Sequence, residues 1–349
     1  GGNQNLQKDV KKYVQNWIEE GLIDWDITRD ISWGVPVPVD GVNDKVFYGW
    51  FDNHLAYISS AVKFLSDNGK DGKKFWNESD IYHFIGKDIV YHHYLFLPAM
   101  RLGIGEEYKL PDYIPTRGHL TLQAKKISKS RNWYIGLKDF LQIFSADYLR
   151  FYLVSINPYS QDDLNFDWDE FATKINSELI GNLGNFVNRA LGFTVKVFDS
   201  IVPDPEEFDD MDKESEKAIK DLGSEVGVLM EQNHLDRALK KILQFSAHFN
   251  QYFQHKEPWK KAHGTGSCVY LSVNAVRSLA IAIYPFLPKS SQKIWVQLGM
   301  DGDISAQSFD EISNITIKQG HKLGKISPLF EKVEESVIEE QKKKLGVNI

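Results

Sequence analysis

Cysteine is nearly absent from this 349-residue chain: Cys268 stands alone. A single thiol excludes an internal disulfide and a cysteine-based zinc knuckle. No zinc site is expected in this chain, and a cytoplasmic location is the default. Long uninterrupted apolar runs are also missing. None approaches the ~18 residues needed to span a bilayer, and no secretory signal pattern is visible. Internal repeats and low-complexity tracts are absent. So is an excess of positive charge, since the formal net charge is −7. That balance disfavours a general nucleic-acid binder, so a polyanionic partner would need local basic patches. Two are present: Lys125, Lys126, Lys129 and Arg131 in one run, and Lys256, Lys260 and Lys261 in another. With 42% hydrophobic and 26% charged residues, the composition is that of a globular protein, and the length suffices for two domains.

Leu6, Val10, Val14, Trp17 and Ile18 recur at helical spacing, and Gly21 follows as a stop. Pro36 and Pro38 keep the next segment extended. Lys45–Asp52 reads as a buried aromatic strand, with a helix after it from about His54 to Leu65. Asp80–Ile85 reads as a second strand that runs through Gly86-Lys87-Asp88 into a helix at Tyr91–Arg101. Tyr113–Leu122 reads as a third strand, with a turn at Gly118. This alternation predicts an α/β layer with a parallel sheet. Ligands of such sheets bind at the carboxyl ends of strands, where Asp52 and Gly86-Lys87-Asp88 fall. Beyond about residue 137 helical patterns take over. Trp168, Phe171, Ile175, Leu179, Leu183, Phe186, Val187, Ala190 and Leu191 form one apolar stripe. Helices over about 214–230, 235–254 and 267–285 complete a bundle. Residues 203–213 read as an acidic, proline-bearing loop, and the charged tail from about 318 as peripheral.

The sharpest chemical signal is Lys126-Ile127-Ser128-Lys129-Ser130. Two lysines around a hydroxyl suit a mobile loop that brings ammonium charge to a polyphosphate. Taken alone, the pentapeptide fits a solvated basic loop equally well. Gly86 permits close backbone approach and Asp88 can accept a ribose hydroxyl, with a plain turn as the competing reading. Trp50, Tyr57 and His93 suit an unbranched thioether, although an aromatic core is the commoner use of such residues. Asn185 and Arg189 share a helix face. Together with Trp259 they offer the amide, guanidinium and ring plane by which splayed bases are read. Otherwise they are idle surface.

Taken in order, these blocks resemble the class I aminoacyl-tRNA synthetases, and among them the methionyl branch. The pentapeptide is similar to that class's "KMSKS" signature, with Ile127 at its apolar position. The likeness extends to Asp24–Arg29, Tyr48–Asp52 with Tyr57-Ile58-Ser59, Phe84–Ile89 with His93, Leu97–Met100 and Glu257-Pro258-Trp259. It covers about residues 6–345. The fold it implies is α/β plus all-α: the second half of a class I synthetase Rossmann-type catalytic domain, then an anticodon-binding helical bundle. Residues 1–24 would end a connective insertion, and 25–123 would form the catalytic half. Residues 124–166 would hold the lysine loop and stem-contact region, 167–317 the anticodon bundle, and 318–349 a tail.

The resemblance also implies roles. Trp50, Tyr57, Ile89 and His93 would bind methionine. Gly86, Asp88, Leu120 and Lys129 would bind ATP, with Mg²⁺ accompanying the nucleotide. Lys126 and Lys129 would be catalytic, and Asn185, Arg189 and Trp259 would read the anticodon of tRNA(Met). No zinc site and no membrane contact are implied. Two departures bear on substrate specificity and register: Asn53-His54 replaces a small pair such as Ala-Pro, and His92 precedes His93. A "HIGH"-type motif, which would grip the ATP phosphates, is not found; His83-Phe84-Ile85-Gly86 lies inside a block already assigned. The expectation is a methionine–tRNA ligase fragment, truncated or naturally split, inactive until paired with its other, N-terminal half. The competing readings are a non-catalytic tRNA-binding paralogue, a synthetase for another aliphatic amino acid, and a scaffold. The near-intact lysine motif and Gly-Lys-Asp favour the first.

Overall fold

The structure is a computed structural model that describes residues 3–105, 108–260 and 263–346. Lys261, from the second basic patch, lies outside them. The chain divides into two compact units: residues up to His119 with Ser160–Asp162, and Leu120–Tyr159 with the chain from Asp163 onward.

The first unit opens with α1 (Lys8–Glu20), which buries Val10 and Val14 one turn apart and stops at Gly21, φ 98°. Strands β1 (Thr28–Arg29) and β2 (Val46–Phe47) pair antiparallel. The chain then enters α2 (Gly49–Asp52), α3 (Leu55–Asp67) and α4 (Gly72–Glu78). The predicted buried strand over Lys45–Asp52 is thus corrected: only two residues are strand, and the rest turns helical. Val46 alone is buried there, while Trp50 is 37% exposed, so aromatic content did not mean core. Helices α3 and α4 cross closely because Gly72 has no side chain; a Cβ there would lie 2.5 Å from the Val62 carbonyl. Asp71 caps α4 by accepting the Lys74 amide. Strand β3 (Ile85–Gly86) leads through a 3₁₀ turn at Lys87–Ile89 into a wide helical turn at His92–Phe96 and α5 (Leu97–Gly103). It pairs in parallel with β4 (Thr116–Arg117), as the α/β reading expects.

The predicted third strand is split at Gly118. Its second half, β5 (Leu120–Leu122), belongs to the second unit and pairs antiparallel with β6 (Lys125–Lys126) and parallel with β7 (Leu164–Phe166). Between β6 and β7 run α6 (Leu137–Ile143) and α7 (Ala146–Ser155), which the sequence reading had not placed individually. Helix α8 (Trp168–Lys174) continues without a break through Ile175–Gly184 into α9 (Asn185–Val197). The stripe repeats every four residues from Phe171 to Leu183, slower than the 3.6 of an α-helix. The helix accordingly widens to i→i+5 bonding over Ile175–Gly184, and every stripe residue stays at most 2% exposed.

Helix α10 (Asp210–Glu231) begins with a capping box between Asp209 and Asp212. The acidic loop therefore ends earlier than predicted, because its last acidic residues cap and open a helix. Helices α11 (Leu235–Lys256), α12 (Thr265–Ile283) and α13 (Pro288–Gln297) complete the bundle. By length and composition α12 would cross a membrane, contrary to the reading from uninterrupted runs, yet 94% of its apolar window is buried within the protein. Two of its polar residues find partners inside the protein: Asn274 exchanges two hydrogen bonds with Ile317, and Arg277 donates to the Glu311 carbonyl. It is a core helix.

The tail is not peripheral. Leu323, Val333 and Ile338 are buried in the bundle core, and Asn176 pairs with both backbone groups of Val333 at 2.9 Å. Charge marks only its outer face. Helix α14 (Glu335–Lys343) is tied to Asp169 by Lys342, and beyond it the Gly346 amide donates to the Asn132 carbonyl at 2.9 Å. Asn132 closes the lysine loop, so truncation after Glu334 should loosen that loop. Limited trypsin digestion should then cut faster at Lys125–Arg131; an unchanged cleavage rate would sink this coupling.

Candidate functional site

In the first unit, α2, α3 and the wide turn at His92–Phe96 gather rings. His93 is 1% exposed. Its Nδ1 lies 3.0 Å from the Ile89 carbonyl and its Nε2 3.2 Å from the Tyr57 hydroxyl. A carbonyl only accepts, so Nδ1 carries the proton and Nε2 accepts from Tyr57. Burial lowers the His93 pKa, and the ring is neutral at pH 7. Trp50 packs against His92 at 4.8 Å between ring centroids. Trp50, Tyr57 and His93 thus do come together. Ile89 is half-buried and packs with the small core around Val10 and Ile85.

Three contributors were missed by the sequence reading. Trp25 sits edge-on to Tyr91, His92 and Phe96. His83 packs against Tyr57 at 4.7 Å. His54 is 1% exposed, stacks on His92 at 5.4 Å and donates from Nδ1 to the Trp50 carbonyl at 2.8 Å. The Asn53-His54 departure was the available signal for the last. Burial, and then His93, holds the His54 pKa at about 4. His83 is likewise pushed to about 4, by burial first and then by His93 and His54. Folding therefore opposes protonation of both rings. Stability is full above the ordinary 6.5 and is lost as pH falls toward about 4. Thermal melts should show the midpoint falling between pH 7 and pH 5, with a shallower fall in His54→Phe. Equal slopes in both proteins would exclude His54 as a source.

Gly86 and Asp88 also come together. A Cβ at Gly86 would lie 2.5 Å from Asp88 Oδ1, so the missing side chain is what lets that carboxylate fold back over the strand end. Asp88 Oδ1 faces His119 Nε2 at 3.5 Å. Leu120, assigned to the same ligand, stands half-buried on β5 in the second unit.

The lysine loop is built on a tight hairpin. Gln123 and Ala124 both have positive φ, 49° and 58°, as a two-residue turn of this hand requires. The hairpin is held by Gln123, whose amide donates to the Phe166 carbonyl, and by the Ala124 amide on Asn165 Oδ1. Ser128 and Trp133 then exchange backbone hydrogen bonds at 2.9 Å around a 3₁₀ turn at Lys129–Arg131. Trp133 Nε1 donates to the Leu122 carbonyl, and Lys125 Nζ lies 4.4 Å from the Trp133 ring centre. Lys126 and Lys129 are exposed, and among the described residues neither has an ion-pair partner. Cys268 is buried with its pKa raised to about 12, mainly by that burial, and stays an unreactive thiol.

On the bundle, Asn185 and Arg189 lie on one face of α9 against α11. Asn185 Nδ2 donates to Asn250 Oδ1 at 3.1 Å, and Arg189 Nη2 donates to Gln254 Oε1 at 3.0 Å. Asn185 also lines an open groove of about 590 Å³ with Asn188, Gln297 and Phe330. Trp259 is 43% exposed in a 3₁₀ turn at Pro258–Lys260, just past α11.

A Rossmann-type half, a lysine-bearing hairpin loop and a following helical bundle together define a class I synthetase architecture. A family profile described as "tRNA synthetases class I (M)" matches residues 1–191, and one described as "Anticodon binding domain of methionyl tRNA ligase" matches 202–348. The chain belongs to the methionyl (M) family of class I tRNA synthetases. It is 40% identical to "Methionine--tRNA ligase" of Pyrococcus horikoshii, over 96% of this chain and 48% of that protein. It is also 40% identical to the Methanopyrus kandleri protein of the same name, over 97% and 50%. It thus spans about half the length of the curated relatives it matches. A Mycobacterium tuberculosis methionyl-tRNA synthetase in complex with methionyl-adenylate superposes with a TM-score of 0.84 at 27% identity, over 94% of this chain and 64% of that one.

Proposed function

We propose that this chain is the catalytic-half and anticodon-binding portion of a methionine–tRNA ligase. The match of both halves, in order, to methionyl-type profiles carries the reading. Geometry adds to it: two exposed loop lysines without an ion-pair partner among the described residues, a cluster of rings around His93, and an amide–guanidinium pair on one face of α9.

Two steps follow from this reading. A methionine carboxylate oxygen attacks the α-phosphorus of ATP, and pyrophosphate departs. The terminal tRNA hydroxyl then attacks the adenylate carbonyl, and AMP departs. Trp50, Tyr57, Ile89 and His93 hold the thioether side chain, with Tyr57 fixed by the His93 acceptor. Asp88 accepts a ribose hydroxyl beside the bare Gly86 backbone, and Leu120 packs on adenine. Lys129, with Lys126 second, bears the charge that builds on the pyrophosphate. Mg²⁺ would be held mainly by the phosphates. Activation needs the other half of the nucleotide fold, supplied as a separate polypeptide or in one chain. Asn185, Arg189 and Trp259 read the anticodon, which this chain can do alone.

The test is binding of the chain to stem-loops bearing CAU and GAU anticodons at fixed, moderate salt. Preference for CAU of about tenfold or more bears the reading out. Equal, weak, salt-sensitive binding to both overturns it.

A further inference from the structure

Asn182, Asn250 and Asn185 form a continuous row of side-chain amides across the seam between α11 and the helix that runs from the wide segment Ile175–Gly184 into α9. The row starts on a backbone group of fixed sense. Asn182 Nδ2 lies 2.9 Å from the Leu243 carbonyl, which only accepts, so that atom is the donor and Asn182 Oδ1 faces the other way. Asn250 Nδ2 then donates to Asn182 Oδ1 at 3.2 Å and to the Asn182 carbonyl at 3.0 Å. That second carbonyl fixes the sense of Asn250 independently of the first. Asn250 Oδ1 is thereby left to accept from Asn185 Nδ2 at 3.1 Å. Each amide is oriented by the one before it, and the row ends on an exposed residue. What Asn185 still offers outward is Oδ1, which accepts no hydrogen bond among the described residues, with the second N–H of Nδ2 beside it in an order that Asn250 fixes.

We infer that Asn250 is a positioning residue that fixes the polarity of Asn185, so that Asn185 presents an acceptor and selects a base with an exocyclic amino group. The inference rests on the anticodon reading above. Cytosine and adenine carry such a donor, whereas uracil carries a carbonyl oxygen in its place. Two acceptors facing each other lose a hydrogen bond and leave both oxygens unsatisfied. Without Asn250 the Asn185 amide turns over at little cost and offers either end. Arg189 cannot accept from such an amino group, because a guanidinium only donates. The wide turn at Ile175–Gly184 explains how the row is possible: the Asn182 carbonyl, at the return to α-helical bonding, is within reach of a side chain on α11.

The experiment measures binding of the full chain to stem-loops with CAU, UAU and CUU anticodons, the last two each replacing one amino-bearing base by uracil. Wild type should favour CAU over at least one of them by about tenfold. Asn250→Ala should reduce that ratio to about threefold or less, chiefly by tightening the uracil loop. Asn250→Asp keeps an acceptor facing Asn185 and should hold the ratio within about twofold, although its charge weakens all three loops alike. An unchanged ratio in Asn250→Ala overturns the inference. So does equal loss of the ratio in both variants when their melting midpoints match wild type. Should Asn250→Ala fail to fold, Asn185→Ala, on an exposed residue, replaces it with the same expectation. A wild-type chain that does not prefer CAU would instead remove the anticodon reading itself.

Discussion

Lys129→Ala is expected to slow adenylate formation by about tenfold or more, measured as ATP–pyrophosphate exchange with the chain assembled alongside the first half of the nucleotide fold. The backbone around this lysine is fixed by the Ser128–Trp133 exchange and the 3₁₀ turn, while its side chain is exposed without an ion-pair partner among the described residues. Among the described residues no carboxylate neutralises the ammonium, so its charge is available to a ligand. Negative charge grows on the departing pyrophosphate during the reaction, so a group that meets it there acts on the transition state more than on bound ATP. The loss should therefore fall on kcat with little change in KM for ATP. Lys126→Ala should cost less, because Lys126 lies on β6 ahead of the turn. Trp133 anchors the loop and carries Lys125 on its face, which leaves Lys125 outside the phosphate-binding pair. A wild-type exchange rate in Lys129→Ala would remove the assigned role, and a pure rise in KM would make Lys129 a ground-state binder.

Much of this was legible because the residues concerned are punctuated by strong local rules. The Trp168–Leu191 stripe keeps to one face and packs as read, with the extra width of the helix absorbing the four-residue repeat from Phe171 to Leu183. Gly21, Gly86 and Glu257-Pro258-Trp259 sit at element ends, where glycine and proline act through the backbone alone. What failed did so where side-chain type was taken as a proxy for burial. Lys45–Asp52 has the composition of a buried strand, yet Trp50 is 37% exposed and packs on His92, and the backbone turns helical beneath it. The tail looked solvated because its charges face outward, and the few buried residues that anchor it, Val333 and Ile338 among them, are spaced too far apart to show a period. The histidine cluster is a tertiary fact: His54, His83, His92 and His93 come from three separate stretches, and no spacing rule joins them. The amide row is hidden for the same reason, since Asn182 and Asn250 lie 68 positions apart.

Trp259→Ala should weaken binding of the CAU stem-loop by roughly fivefold to a hundredfold, the equivalent of ~1–3 kcal/mol for one stacked base. The ring is well placed for this because the chain beneath it is fixed. Glu257 ends α11 in the left-handed region, φ 42°, and turns the following residues away from the helix axis. Lys256 pairs with both Asp209 and Asp212 at 2.8 Å, and Tyr252 donates to Asp212 at 2.6 Å. The carboxylates that cap α10 therefore also pin the end of α11. With Trp259 43% exposed on this support, removing the ring opens no large core cavity, and the melting midpoint should stay within about 2 °C of wild type. A loss of affinity at constant stability is the signature of a ring that touches the ligand. Trp259→Phe should recover part of it, since a smaller aromatic face still stacks. Full affinity in Trp259→Ala would mean that the exposed ring serves the turn at Pro258–Lys260 and that base reading rests on Asn185 and Arg189. A fall in affinity matched by a fall in midpoint would instead make Trp259 part of the fold.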